Sequence, residues 1–159
     1  AVLNVNGVIA NKANMFTRIS GGTSAQILAK QIDSMAVDPR VRGVVLDMDS
    51  PGGSVLGIPA LAEAVKALAA EKPTVAVTTG TMASAAYWIG SAANAVYVSG
   101  LTDVVGSIGV VMVHVDQSRR DERMGMAYTF IYAGARKVDF NSHAPLGKKA
   151  QELLGHANE

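Results

Sequence analysis

The chain has 159 residues, 49% of them apolar, enough to bury one sizeable core and far from a disordered composition. Its 14 basic and 13 acidic residues leave a net charge of +1, which excludes the electrostatic footprint of a nucleic-acid binder or of a basic membrane-surface helix. Cysteine is absent, which excludes a disulfide framework, a thiolate zinc site and a cysteine nucleophile, and fits a reducing compartment.

Ala1 leads without a methionine or a signal-peptide pattern into the strand-like run Val2 to Ile9, whose alternation is broken by Gly7. The chain therefore reads as an excised or processed piece of something longer, compatible with an anchor or further domain beyond either end. No segment approaches the roughly 18 uninterrupted apolar residues of a membrane span. A loop over Ser20 to Ser24 comes next, where Thr23 or Ser24 can cap a helix to about Met35 with Ile27, Leu28 and Ile32 on its apolar face. Asp38-Pro39 stops it. The run Val41 to Asp47, with Val44, Val45 and Leu46 in succession, predicts a strand buried on both faces.

After Asp49-Ser50-Pro51-Gly52-Gly53, a helix is predicted to about Glu71, with Leu61, Val65 and Leu68 at helical spacing. Pro73 opens a strand over Thr74 to Thr78, Gly80-Thr81 reads as a turn, and a small-residue helix spans Ser84 to Ala93. Strands over Ala95 to Ser99 and Ile108 to Val115, a charged helix from Gln117 to Met124, a strand from Tyr128 to Tyr132 and a helix from about Leu146 complete the order. Strand–helix alternation with continuous apolar strands indicates an α/β layered fold with a mainly parallel sheet, in a single domain over 1–159.

Three segments suit chemistry as well as packing. In Asp47 to Gly53, paired glycines let backbone N–H groups approach a ligand ahead of a helix N-terminus; the alternative is an ordinary strand-to-helix turn. In Gly80 to Trp88, small residues surround Ser84 at a helix start, so Ser84 is either a nucleophile with free amides behind it or a plain N-cap. It does not sit in the Gly-x-Ser-x-Gly elbow of the α/β-hydrolases. In Tyr132 to Asp139, Lys137 is a solvated charge unless burial or neighbouring charge favours its neutral amine.

In chain order, Asp49-Ser50-Pro51-Gly52-Gly53, Met82-Ala83-Ser84-Ala85-Ala86-Tyr87-Trp88, Gly106-Ser107-Ile108-Gly109-Val110 and Gly134-Ala135-Arg136-Lys137-Val138-Asp139 resemble the motifs of the S49 peptidases. That family includes signal peptide peptidase A enzymes and phage capsid-assembly proteases, and the likeness runs from about Val2 to Leu154. It implies a ClpP/crotonase-like fold, with Ser84 matching the nucleophile and Lys137 the general base. Gly53 and Ala85 match the oxyanion-hole N–H donors, and Ser107 a serine that orients the lysine. The family often has glycines where this chain has Ala85 and Ala86; a backbone donor tolerates alanine where the local dihedrals are helical.

The implied activity is that of a serine endopeptidase with no metal or organic cofactor and a polypeptide substrate, in a homo-oligomer. The stretch Ile131 to Asp139 is similar to the phage and prophage enzymes, which implies processing of scaffold or capsid proteins in head assembly, in the host cytoplasm or procapsid. Signal-peptide degradation or protein quality control is the alternative role, an acyl-CoA enzyme of the crotonase type the alternative chemistry, and a non-catalytic assembly module the third reading. Among the histidines, His114 is the candidate for a Ser–His scheme, with His143 in a loop and His156 in a tail. Asp47 and Asp49 are read as turn-capping carboxylates, Arg119 to Arg123 as a solvated face, and Met82, Met112, Met124 and Met126 as core or pocket lining.

Overall fold

The computed structural model describes residues 1–13, 15 and 19–156, the last four of these as backbone only. Ala1–Ile108 form one compact unit and Gly109–Glu159 another.

The first unit is built on a parallel sheet. Strand β1 (Val2–Asn6) pairs with β4 (Val44–Ser50), β4 with β5 (Thr74–Ala83), and β5 with β6 (Ala95–Val98) along its first half and β7 (Val104–Gly106) along its second. The strand predicted over Val2 to Ile9 breaks at Gly7, whose φ of 60° suits glycine. Beyond it, β2 (Ile9–Ala10) pairs with β3 (Thr23–Ser24), a bridge inside the segment read as loop.

Burial alternates along the strands. Leu3 and Val5 of β1, Val44, Leu46, Met48 and Ser50 of β4, and Thr74, Ala76 and Thr78 of β5 are buried, whereas Asp47 and Asp49 are exposed. The expectation that β4 is buried on both faces is therefore corrected. Period-2 geometry sends the two aspartates to one face, and that face is open.

Three helices supply the cover of the buried face. Helix α1 (Ala25–Val37) starts at Ser24, whose Oγ accepts the Ile27 N–H at 3.4 Å, so Ser24 is the cap and Thr23 is not. Its C-terminal carbonyls of Met35 and Asp38 accept from Lys72 Nζ at 2.7 and 2.8 Å. Helix α2 (Ile58–Glu71) enters through Gly57 at φ 85° with Pro59 in its first turn, and buries Ile58, Leu61, Ala62, Val65 and Leu68. Helix α3 (Ala85–Ser91) can lie close on β5 because its inner face is small. A Cβ on Gly90 would stand 2.5 Å from Met82 Sδ and 3.4 Å from Ala76 Cβ. Each fully buried leucine or isoleucine of this core contributes roughly 1.5–3 kcal/mol.

Strand β5 runs through Gly80-Thr81, which the sequence marks as a turn. The pairing moves from Met48↔Thr78 to Ser50↔Met82, so two residues of β4 are opposed by four of β5. Gly80 N–H donates to Thr78 Oγ1 (3.3 Å) and Thr81 N–H to Asp49 Oδ1 (3.2 Å), which satisfies the irregularity internally. Such bulges bend a strand and re-aim the side chains beyond them. In β5 the chain beyond the bulge ends at Ala83 and delivers Ser84.

The second unit holds helices α4 (Ser118–Arg123) and α5 (Lys148–His156). The strands expected over Ile108 to Val115 and Tyr128 to Tyr132 are not formed among the described residues. Their apolar runs stay largely exposed, with Val111 and Ile131 at 85% and 98%. Of the four methionines read as core or lining, only Met82 is buried. Within α4 the buried exception to a solvated face is Asp121, whose Oδ2 lies 2.7 Å from His143 Nδ1. No described helix is long and apolar enough to cross a membrane.

Candidate active site

Ser84 stands between the end of β5 and the start of α3, half-buried, with φ 54° and ψ −122°. Only two described non-glycine residues have positive φ, and they are Ser84 and Ser107 (φ 53°). A residue held in such a region costs about 1–3 kcal/mol and persists only where its surroundings impose it. Here the imposing contacts are visible: β7 pairs with the end of β5 through Ala83↔Gly106, and the Ser84 N–H donates to Gly106 O at 2.8 Å. Gly106 is the neighbour of Ser107, so one backbone hydrogen bond joins the two strained serines' segments.

The plain N-cap reading of Ser84 fails on geometry. Its side chain makes no capping hydrogen bond, and the helix is joined at this point by the Ser84 carbonyl, which accepts the Trp88 N–H at 3.0 Å. The hydroxyl is therefore not consumed by the helix it precedes. The position matches the strained strand-to-helix placement of hydrolase nucleophiles although the Gly-x-Ser-x-Gly signature is missing.

The turn after β4 packs directly onto this junction. Gly52 has φ 97°, and a Cβ on it would lie 2.8 Å from Ala83 O, 2.8 Å from Ser84 Cβ and 3.0 Å from Ala85 N. A Cβ on Gly53 would fall 2.0 Å from Ile9 O, because Gly53 bridges Ile9. Both glycines are thus required by close backbone approach.

Most amides in this turn are already bonded. Pro51 has none, Gly52 N–H donates to Ser50 Oγ (3.1 Å), and Ser54 N–H donates to Ile9 O (2.9 Å). The Gly53 N–H has no protein acceptor among the described residues, and neither does the Ala85 N–H at the first position of α3, where helix geometry provides none. Two unspent donors therefore lie near Ser84, one in the turn packed against it and one immediately after it.

Lys137 belongs to the second unit. It is exposed in the turn after Gly134, with its own N–H donating to Gly134 O at 3.2 Å. Ser107 is also exposed. Of the histidines, His114 has Nε2 2.8 Å from Asn141 O; a carbonyl only accepts, so Nε2 carries the proton in that bond. His143 is the better-built imidazole. It stacks on Tyr128 with ring centroids 3.8 Å apart and meets the buried Asp121 carboxylate, a pairing that reading it as loop did not anticipate. The side chain of His156 lies outside the described residues. Asp49 Oδ1 accepts the Thr81 N–H, and no group of three metal-ligating side chains occurs among the described residues.

Residues 66–157 match the family model described as Peptidase family S49. The chain is 34% identical over 97% of its length to Capsid assembly protease C of Escherichia phage lambda, and 35% identical over 96% to Head-tail preconnector protein GP5 of Enterobacteria phage P21. It spans 35% and 30% of those two proteins, about a third of their length. Among solved structures, an enoyl-CoA hydratase/isomerase family member aligns over 80% of this chain and 50% of its own with TM-score 0.50 and 18% identity, a likeness of fold alone. It agrees with the ClpP/crotonase-like architecture that the motifs imply.

Proposed function

The chain belongs to peptidase family S49, and from that premise we propose that it is the peptidase domain of a serine endopeptidase acting through Ser84 and Lys137. The observation that carries the proposal is the strained, uncapped Ser84 beside two unspent amides. In the proposed cycle, neutral Lys137 takes the Ser84 hydroxyl proton as Oγ attacks the scissile carbonyl. Gly53 and Ala85 N–H groups hold the oxyanion, and Lys137 returns the proton to the leaving amine. Water, deprotonated by Lys137, then cleaves the acyl-enzyme and regenerates the serine. Ser107, in its own strained turn, orients the lysine amine.

An ammonium in water is a poor base, and Lys137 is exposed in the single chain. The proposal therefore requires the assembled, substrate-bound enzyme to cover this amine, since desolvation favours its neutral form. A homo-oligomer is the form we infer, with both units in one catalytic domain. The exposed apolar residues of 110–115 and 128–132 are surface that such an assembly would bury. The two phage relatives favour scaffold or capsid polypeptides as substrates, processed where heads assemble.

The test uses the full-length protein. Lys137→Ala and Ser84→Ala are each expected to abolish peptide cleavage, and a fluorophosphonate is expected to label Ser84. A second reading draws on one specific observation: Asp121 with His143 has the makings of the carboxylate–imidazole half of a Ser–His–Asp relay. Cleavage that survives Lys137→Ala and disappears in His143→Ala selects that scheme and overturns the dyad.

A further inference from the structure

Ser50 is the last residue of β4, fully buried, and its hydroxyl is used twice. Its Oγ donates to Gly7 O at 2.6 Å and accepts the Gly52 N–H at 3.1 Å. Neither direction is ambiguous, because a carbonyl can only accept and an amide can only donate. One hydroxyl thus joins the break in the sheet at Gly7 to the turn that presents Gly53.

We propose that the Ser50 hydroxyl is a positioning group for the oxyanion hole, fixing the Gly52 peptide and through it the direction of the Gly53 N–H. The inference rests on the reading of Gly53 as a donor to the oxyanion. Its physical basis is the freedom of glycine. Gly52 at φ 97° lies in a region glycine leaves easily, and adjacent Gly53 adds no side chain to resist rotation. Sterics make other residues impossible here but do not hold the glycines in place. Hydrogen bonds must do that.

The peptide between Gly52 and Gly53 is gripped at its oxygen, where Gly52 O accepts from Ile9 N–H at 2.9 Å. The preceding peptide is gripped by Ser50 through the Gly52 N–H. With both grips the Gly52 torsions are fixed; without Ser50, one end is free. Ser50→Ala also leaves a part-buried carbonyl and a buried amide unpaired, which drives the turn to rearrange. An oxyanion donor acts only where it meets the charge that develops in the transition state, so its misdirection lowers kcat and leaves KM nearly unchanged.

The experiment compares Ser50→Ala with wild type and with Ser54→Ala in the full-length protein. Ser54 is a control on the same turn, its hydroxyl accepting, among the described residues, only the Leu56 N–H. Active sites are titrated with a fluorophosphonate and kcat is expressed per titrated site, so that misfolded enzyme is not counted. Removing an oxyanion donor outright lowers kcat by about 10²–10³. For Ser50→Ala a fall of roughly 10- to 100-fold is expected, with KM within about 2-fold of wild type. Affinity for a peptide boronate, which mimics the tetrahedral state, is expected to fall in parallel, and product-peptide affinity to stay constant. Ser54→Ala is expected to match wild type, and Ser50→Thr, which keeps the hydroxyl, to regain activity where it folds.

Wild-type kcat per titrated site in Ser50→Ala, or an equal loss in Ser54→Ala, overturns the inference. These outcomes are separable from failure of the underlying reading. If the wild-type label is on Ser84 and only the Ser50→Ala effect is missing, the positioning role alone falls. If wild type carries no label on Ser84, the nucleophile assignment falls first and the positioning role with it.

Discussion

Replacing Ser84 tests whether its backbone is strained, independently of any chemistry. Ser84→Ala removes the hydroxyl but keeps a Cβ at φ 54°, so the strain remains. Ser84→Gly removes the Cβ and with it the reason for strain. The strain is about 1–3 kcal/mol. Against it, glycine costs about 0.5–1 kcal/mol through the greater freedom of the unfolded chain. Mid-range values leave Ser84→Gly more stable than Ser84→Ala by about 1 kcal/mol, which is the reverse of the usual order for these residues. At this size that corresponds to a Tm difference of about 2–4 °C. Urea unfolding of the two variants side by side reads the difference directly, because both lack the hydroxyl. An alanine variant equal to or more stable than the glycine variant refutes the claim that the β7 contact forces Ser84 into a costly conformation.

Gly53→Ala is expected to destabilise by at least about 2 kcal/mol in urea unfolding and to abolish activity, since its Cβ would fall 2.0 Å from Ile9 O and must open the bridge. His143→Ala removes the partner of Asp121, which is 3% exposed, and the ring stacked on Tyr128. With His143 part-exposed, a loss of roughly 2 kcal/mol is expected, recovered in part by Asp121→Asn in the same background, and a double-mutant cycle measures it. Asp103 is held below the ordinary aspartate range chiefly by the Ser99 hydroxyl, and also by the Gly100 and Ser99 amides. Its folded value is depressed, so its contribution is present above the unfolded value and lost as pH falls through the folded one. Asp103→Asn is therefore expected to lower stability at neutral pH and to flatten the acid side of the stability curve, the difference from wild type vanishing as pH falls well below about 4, as read by unfolding across pH.

The order of strands and helices was legible because apolar runs and caps act locally. Leu61, Val65 and Leu68 mark the α2 face, and Ser24 stops the preceding chain and starts α1. Whether β4 is open on one face was legible only from Asp47 and Asp49, and three consecutive apolar residues outweighed them. The continuation of β5 through Gly80 and Thr81 was hidden for a different reason. Glycine at a turn and glycine at a bulge look identical in sequence, and the Asp49 carboxylate that distinguishes them here comes from another strand. The runs Ile108 to Val115 and Tyr128 to Tyr132 have strand-like composition, but composition cannot supply a ladder partner. Nor could any local pattern announce the strain at Ser84 and Ser107, since it arises where β7 meets β5 about twenty residues apart in sequence.

The alanines after Ser84 are explained by the packing of α3. At positions 85 and 86 the chain departs from the glycines common among S49 peptidases, yet the donor proposed there is an amide at a helix start, where an alanine side chain points away into the core. Ala85 and Ala86 are 6% and 0% exposed, so their methyls are part of the packing that sets α3 on the sheet. On the opposite side of the proposed hole no such substitution is possible, because Gly52 and Gly53 bring their Cα atoms against Ser84 and Ile9. The two donors are thus held by different means: one by the rigidity of a packed helix, the other by hydrogen bonds around residues that have no side chain to pack. Variation at 85 and 86 is therefore limited by core volume, and variation at 52 and 53 by backbone clearance. Ala85→Gly should cost stability through lost packing and helix propensity while leaving the amide in place, whereas no residue larger than glycine can stand at 53 without displacing β2.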